Sequence, residues 1–275
     1  MINPCCRRKI GPLSFVECGS GTPFLLLHGL HSSADSWTAV AQQLAPRFRV
    51  IAPDLLGFGA SDLPAGDLYM QQQADAVKQL LDELGIASLF VAGHDFGGPV
   101  AMTLLRRFPA LRIYGVVLSN TNMFTDTYVP APLRTARVPG LGWLIYKVMA
   151  GSRFGLWMTY RMAVARKHAL PWHEFARNVD ARNLRVTQQV FQRSLADLPR
   201  NYQAVQDQLE STHAPGLVIW GDSDPFFAPE VGKRTAAAFP SATYRELEGT
   251  GHFAPHEHPQ AYASAIIDVF GHLRS

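Results

Sequence analysis

Apolar and polar residues follow two different rhythms along this chain. Phe24-Leu25-Leu26-Leu27 is an unbroken apolar run that stops at His28-Gly29. A run this short, with a turn signal after it, predicts a strand buried on both faces with a loop at its C-terminal end. Phe48-Arg49-Val50-Ile51-Ala52-Pro53-Asp54 predicts a second strand, followed by a loop over 55–62. The rhythm then changes. Ala74, Val77, Leu80, Leu81 and Leu84 recur at helical spacing, and Gly85 stops the pattern, so a helix is predicted over 71–84. Leu89-Phe90-Val91-Ala92 is again a strand, a helix follows over 98–108 and is ended by Pro109, and Tyr114-Gly115-Val116-Val117-Leu118-Ser119 is the next strand. Strands alternating with helices predict an α/β fold with a mostly parallel central sheet flanked by helices on both faces.

From 121 to 212 the strands disappear. Aromatic and basic residues mix at helical spacing, broken by Pro130, Pro132, Pro139, Pro171 and Pro199. Strand patterns resume at Leu217-Val218-Ile219-Trp220 and at 242–247, and a closing helix is predicted over 259–270. The chain therefore divides into a core of 1–120 and 213–275, interrupted by a helical cap of 121–212. An insertion that splits a sheet in this way predicts a lid over whatever site the sheet carries.

Composition narrows the function classes. Apolar residues make up 47% of the 275 and charged residues 17%, enough for a large core and too few charges for disorder. Net charge is +3, and pairs such as Arg7-Arg8 and Arg106-Arg107 are too short for a nucleic-acid stripe. No apolar run reaches membrane-spanning length, and no apolar stretch of signal-peptide type follows the N-terminal charges. Of the three cysteines, Cys5 and Cys6 are neighbours that bridge only under strain, so neither a disulfide framework nor a zinc site is expected. A cytoplasmic protein without nucleic-acid or membrane partners is the resulting expectation.

The chemistry is concentrated in three places. Gly93-His94-Asp95-Phe96-Gly97 lies between a predicted strand and a predicted helix. So tight a turn strains its central residue and lifts that side chain above the sheet, at the start of the helix; the small residues around it let strand and helix approach. That position usually holds serine; here it holds Asp95. Downstream, Trp220-Gly221-Asp222-Ser223-Asp224-Pro225 follows an apolar strand, with Asp224 the better-placed acid and Asp222 a turn former. Gly251-His252-Phe253 then follows the last strand, while His256 and His258 read as surface or helix-start residues. Asp95, Asp224 and His252 thus stand in the order nucleophile, acid, base.

On these motifs the chain resembles the α/β-hydrolase family over almost its whole length. Asp95 makes it similar to the branch holding epoxide hydrolases, haloalkane dehalogenases and haloacetate dehalogenases. The strings Asp54-Leu55-Leu56-Gly57-Phe58-Gly59-Ala60-Ser61-Asp62 and Leu118-Ser119-Asn120-Thr121 look like those of haloalkane dehalogenases. The resemblance implies an oxyanion hole made of the backbone N–H groups of Leu30 and Phe96, and neither metal nor organic cofactor.

An aspartate, ordinarily ionised above about pH 4, needs no base to become a nucleophile. It can displace a leaving group from saturated carbon and form an alkyl ester. His252, oriented by Asp224, would activate water to hydrolyse that ester. A small apolar organic substrate and water are the expected partners. The leaving group is the open question. The family's dehalogenases place an N–H donor after the nucleophile and after the His-Gly pair; Phe96 and Leu30 supply no side-chain donor, which leaves Trp143, Trp157, Trp172 or His168 as substitutes. The family's epoxide hydrolases use two cap tyrosines, for which Tyr146 and Tyr202 are the candidates and Tyr160 a reserve; His31 stands where they usually carry proline. Epoxide opening to a diol is the leading expectation and dehalogenation the alternative. Further alternatives are an esterase or lactonase, suggested by the loop His28-Gly29-Leu30-His31-Ser32-Ser33, and a non-catalytic ligand-binding relative.

Overall fold

The structure is a computed structural model that describes residues 5–127 and 152–272, with Gly140 and Leu144 between them. Its sheet is built from β1 (Cys6–Ile10), β2 (Leu13–Cys18), β3 (Thr22–Leu27), β4 (Phe48–Pro53), β5 (Ser88–His94), β6 (Arg112–Ser119), β7 (Gly216–Gly221) and β8 (Ala242–Leu247). The strand order is β1-β2-β4-β3-β5-β6-β7-β8. From β4 to β8 every pairing is parallel, while β2 runs antiparallel to both β1 and β4.

Strand periodicity sorts the apolar residues into two layers. Leu25, Leu27, Val91, Val116 and Leu118 face one core, shared with α2 (Met70–Glu83) and α3 (Gly97–Arg107). Phe24, Leu26, Phe90, Ala92 and Val117 face the other, shared with α1 (Thr38–Leu44) and α10 (Pro259–Phe270). These strands are buried on both faces, which is why they read as unbroken apolar runs. Burying one such side chain contributes about 1.5–3 kcal/mol.

The insertion is helical: α4 (Arg153–Ala163), α5 (Trp172–Arg177), α6 (Ala181–Ala196) and α7 (Leu198–Ser211). Short polar side chains start these helices, as cap residues should. Ser152 accepts from the Gly155 N–H at 3.0 Å, Asp180 from Asn183 at 2.8 Å, and Asp197 from Arg200 at 3.2 Å. After the insertion come α8 (Pro229–Ala238) and the short α9 (Ala254–Glu257). No helix among the described residues is long and apolar enough to cross a membrane.

One expectation is corrected. Cys5 and Cys18 form a disulfide, and Cys6 is the free, exposed thiol. The strain between sequence neighbours excludes only a Cys5–Cys6 bridge. The β1–β2 hairpin pairs Cys6 with Glu17, so its register brings Cys5 opposite Cys18. This hairpin also makes the sheet mixed at one edge.

Candidate active site

Four loops meet at the C-terminal ends of the parallel strands, the usual place for a site in an open α/β sheet. The first is the turn between β5 and α3. Asp95 has φ +49°, a left-handed conformation that side chains rarely adopt. It is held there by its own N–H donating to the Ser119 carbonyl at 3.1 Å and by Thr121 Oγ1 donating to its carbonyl at 2.6 Å. The second is the loop after β3. Its Leu30 N–H donates to Asp95 Oδ2 at 2.7 Å. A Cβ on Gly29 would lie 2.6 Å from that same oxygen, so only glycine permits this approach. The third, after β7, carries Asp224, the candidate acid, and a fourth, after β8, carries His252, the candidate base. His252 Nδ1 lies 3.0 Å from Asp224 Oδ2, and its Nε2 lies 3.9 Å from Asp95 Oδ1.

These distances have chemical content. At 3.9 Å His252 does not hydrogen-bond the carboxylate. Asp95 Oδ2 is engaged by Leu30, and Oδ1 is the oxygen that faces His252. Asp95 keeps 14% of its side chain exposed, against 6% for His252 and none for Asp224. Asp224 is fully committed: it also accepts from Asn120 Nδ2 at 2.8 Å and from the Phe226 and Phe227 N–H groups at 2.8 and 3.2 Å.

Electrostatics follow from this packing. Burial pushes the Asp95 carboxyl above its ordinary range, opposed by His252 and by the N–H groups of Leu30 and Phe96. Burial works against the His252 imidazolium, but Asp224, Asp95 and Glu257 outweigh it and hold the ring above its ordinary value. Burial likewise opposes the Asp224 charge, yet His252, Asn120 and the backbone donors hold its carboxyl low. Two further histidines are buried and held neutral. His94 is pushed down to about 3 and His31 to about 4, by burial first and then by the nearby His252 charge. The ring of His94 is not idle: its Nε2 lies 2.8 Å from the His252 carbonyl.

Above Asp95 the insertion and the core share a buried hydroxyl cluster. The Tyr69 hydroxyl lies 3.0 Å from Ser194 Oγ, and the Tyr69 ring faces Phe96 at 6.1 Å. The hydroxyl of Tyr202, on α7, has Ser194 and Asn122 within hydrogen-bonding reach, and its ionisation is opposed by burial, by Tyr69 and by the charge of Asp95. Tyr202 therefore lies within electrostatic range of the predicted nucleophile. Tyr146 and Trp143 lie outside the described residues. The remaining cap candidates are spent elsewhere. Tyr160 donates to the Leu170 carbonyl at 3.0 Å, Trp172 packs between Tyr160 and Phe175, and Trp157 and His168 are exposed. Asp222 turns its loop, accepting from the Gly249 and Thr250 N–H groups.

Sequence reasoning missed Tyr69, Ser194, Asn122, Asn120, His94 and Glu257. His94 and Asn120 stand inside strings quoted above without their roles being read from them, and the other four stand in no motif at all. Among the described residues no group of three or more His, Cys, Asp or Glu side chains is arranged to hold a metal ion.

Comparison with known proteins agrees with this architecture. The chain is 30% identical over 272 residues to haloalkane dehalogenase 2 of Mycobacterium bovis, covering 95% of this chain and 92% of that protein. Its fold is shared by an esterase from Thermogutta terrifontis (TM-score 0.81, 23% identity, 99% and 100% of the two chains). It is shared also by the epoxide hydrolase CorEH (TM-score 0.76, 21% identity, 100% of both chains). At such identities these two structures speak for the fold alone. Residues 22–259 match the α/β hydrolase fold family, and this chain belongs to it.

Proposed function

We propose that this hydrolase works through an alkyl ester on Asp95 and that its substrate is an epoxide, opened to a diol. In this reading Asp95 Oδ1 attacks a ring carbon and the carbon–oxygen bond breaks. The departing oxygen takes the Tyr202 hydroxyl proton. His252 then removes a proton from water, and the hydroxide adds to the ester carbonyl carbon. The resulting oxyanion is stabilised by the N–H groups of Leu30 and Phe96. Collapse releases the diol, with protons returned to its oxygen and to Tyr202.

One observation carries the choice of substrate: the buried Tyr202 of the insertion belongs to a hydroxyl cluster with Ser194 and Tyr69, whose ring faces Phe96 beside Asp95. A departing alkoxide needs a proton, and a halide does not. A carboxylate nucleophile needs no contact with its base, and His252, 3.9 Å from Asp95, is left to serve the water of the second step. Terminal and internal epoxides should yield diols. Tyr202→Phe should slow that opening by about 100-fold or more, in line with loss of a general acid. Diol formation unaffected by the substitution would remove Tyr202 from the chemistry.

Halide displacement is the second reading, favoured by the 30% identity to a haloalkane dehalogenase and by His31. Its Nε2 is buried and has no hydrogen-bond partner among the described residues, and the ring is neutral at ordinary pH. A neutral N–H suits a halide, which needs a donor and no proton. Halide release from brominated and chlorinated alkanes that survives Tyr202→Phe and is lost in His31→Ala would favour this reading.

A further inference from the structure

Glu257 is almost wholly buried, 2% exposed, and has no cation beside it among the described residues. A buried carboxylate is costly unless hydrogen bonds replace its water. Four backbone N–H groups do so here. Oε2 accepts from Ala165 and Arg166 at 2.7 Å each and from Gly251 at 3.2 Å; Oε1 accepts from Phe253 at 3.1 Å. The donors come from two places. Gly251 and Phe253 flank His252. Ala165 and Arg166 belong to the chain leaving α4 of the insertion.

The same seam is stitched around His252 itself. Its N–H donates to the Ala163 carbonyl at 2.8 Å, and Arg166 donates to the Gly249 and Glu248 carbonyls at 3.1 and 2.9 Å. A Cβ on Gly251 would collide with the Ala163 carbonyl, so the two segments are in contact through backbone. His252 must meet Asp224 with Nδ1 while keeping Nε2 toward Asp95, and its backbone is what sets that orientation. Glu257 touches neither Asp95 nor Asp224.

We propose that Glu257 is a positioning residue for the general base: one buried carboxylate joins the His252 loop to the insertion and holds the imidazole over the ester on Asp95. The proposal rests on the two-step reading above. It separates the two half-reactions. Alkylation of Asp95 does not use His252, whereas ester hydrolysis does. A Gln at 257 would turn an amide N–H₂ toward N–H donors and break part of the seam.

The test is quenched-flow mass spectrometry of the peptide carrying Asp95, with 1,2-epoxyhexane and 1-bromobutane as probes. His252→Gln serves as the reference for a pure hydrolysis defect. In Glu257→Gln, alkylation should stay within about twofold of the parent, while hydrolysis slows by about 10- to 100-fold, the scale of a misplaced catalytic group. The ester on Asp95 then accumulates. Should that variant fail to fold, Ala165→Pro removes one donor at an exposed position whose preceding residue, Val164, is already extended as proline requires. It should cause a smaller accumulation in the same direction. If His252→Gln accumulates the ester and neither seam variant does, or if they lose both half-reactions in proportion, Glu257 is structural only. If His252→Gln builds no ester from either probe, the two-step reading fails, and this proposal falls with it.

Discussion

Among the described residues, three side chains other than glycine have a left-handed backbone: His31, Asp95 and Asn120. All three lie at the proposed site. Asp95 is the proposed nucleophile, Asn120 bonds the acid Asp224, and His31 follows Leu30, whose N–H bonds Asp95. Strain of this kind persists where the surroundings over-determine it, and it gathers at functional positions. The electrostatics make a residue-level prediction. In the proposed hydrolysis His252 must be neutral to take a proton from water, and it is held above its ordinary value by neighbouring carboxylates against the effect of burial. Hydrolysis should therefore fall as pH drops through the His252 pKa. Asp224→Asn removes the largest of those carboxylate effects, so the acid limb should move to lower pH while the plateau falls by about 10²- to 10⁴-fold. A pH–rate profile of the variant checks this; an unmoved limb would detach the limb from His252. Asp95, Asp224 and His252 were legible because each stands in a motif tied to a strand end. Tyr69, Ser194 and Glu257 were not legible, because their roles depend on which distant segments the fold packs together. No spacing in the sequence links Glu257 to Ala165.

At the scale of elements, legibility mostly followed burial, with the largely exposed β8 predicted and the buried β2 missed as the exceptions. β3, β5, β6 and β7 are buried runs and were predicted within a residue or two at most ends. β8 and α10 match their predicted spans of 242–247 and 259–270. α8 was not predicted, since only Gly232 and Thr235 are buried along it and no apolar stripe marks its face. The β1–β2 hairpin was missed for a related reason: β1 is an exposed edge strand of charged residues. Missing it concealed the Cys5–Cys18 bridge. That bridge closes a loop with a sequence separation of 13, and such a loop contributes roughly 3 kcal/mol when cross-linked. Cys18→Ser should lower the denaturation midpoint accordingly. Thiol titration of the oxidised, denatured chain should find one reactive cysteine, Cys6, and three after reduction. Three without a reductant would mean that the bridge does not form.

At the scale of the molecule, core and insertion meet at the proposed site from two sides. The core supplies Asp95, Asp224, His252 and the Leu30 N–H, and the insertion brings Tyr202 and grips the base loop through Ala163–Arg166. The second contact line runs along the loop after β3. Asn178 Oδ1 accepts from Ser33 Oγ at 3.0 Å, and Asn183 Nδ2 donates to the Ser32 carbonyl at 3.4 Å. Buried neutral histidines at these junctions couple stability to pH. His31 and His94 titrate at about 4 and about 3 when folded, against 6.5 for an ordinary ring. Both are depressed, so their contribution is complete above pH 6.5 and is lost as pH falls toward 3, where the unfolded chain binds protons that the folded one refuses. The loss is on the order of 3 kcal/mol per ring. His252, whose pKa is raised, works in the opposite sense and offsets part of it. Chemical denaturation between pH 7 and 4 should show stability falling, and His94→Gln should flatten the slope.

The central claim is the covalent ester on Asp95. It is tested most directly by a single turnover of an epoxide in ¹⁸O-labelled water, followed by mass analysis of the Asp95 peptide and of the diol. Hydrolysis at the ester carbonyl carbon predicts label in Asp95 and an unlabelled diol. Label in the diol and none in Asp95 would mean that water attacks the substrate directly, and would contradict the account.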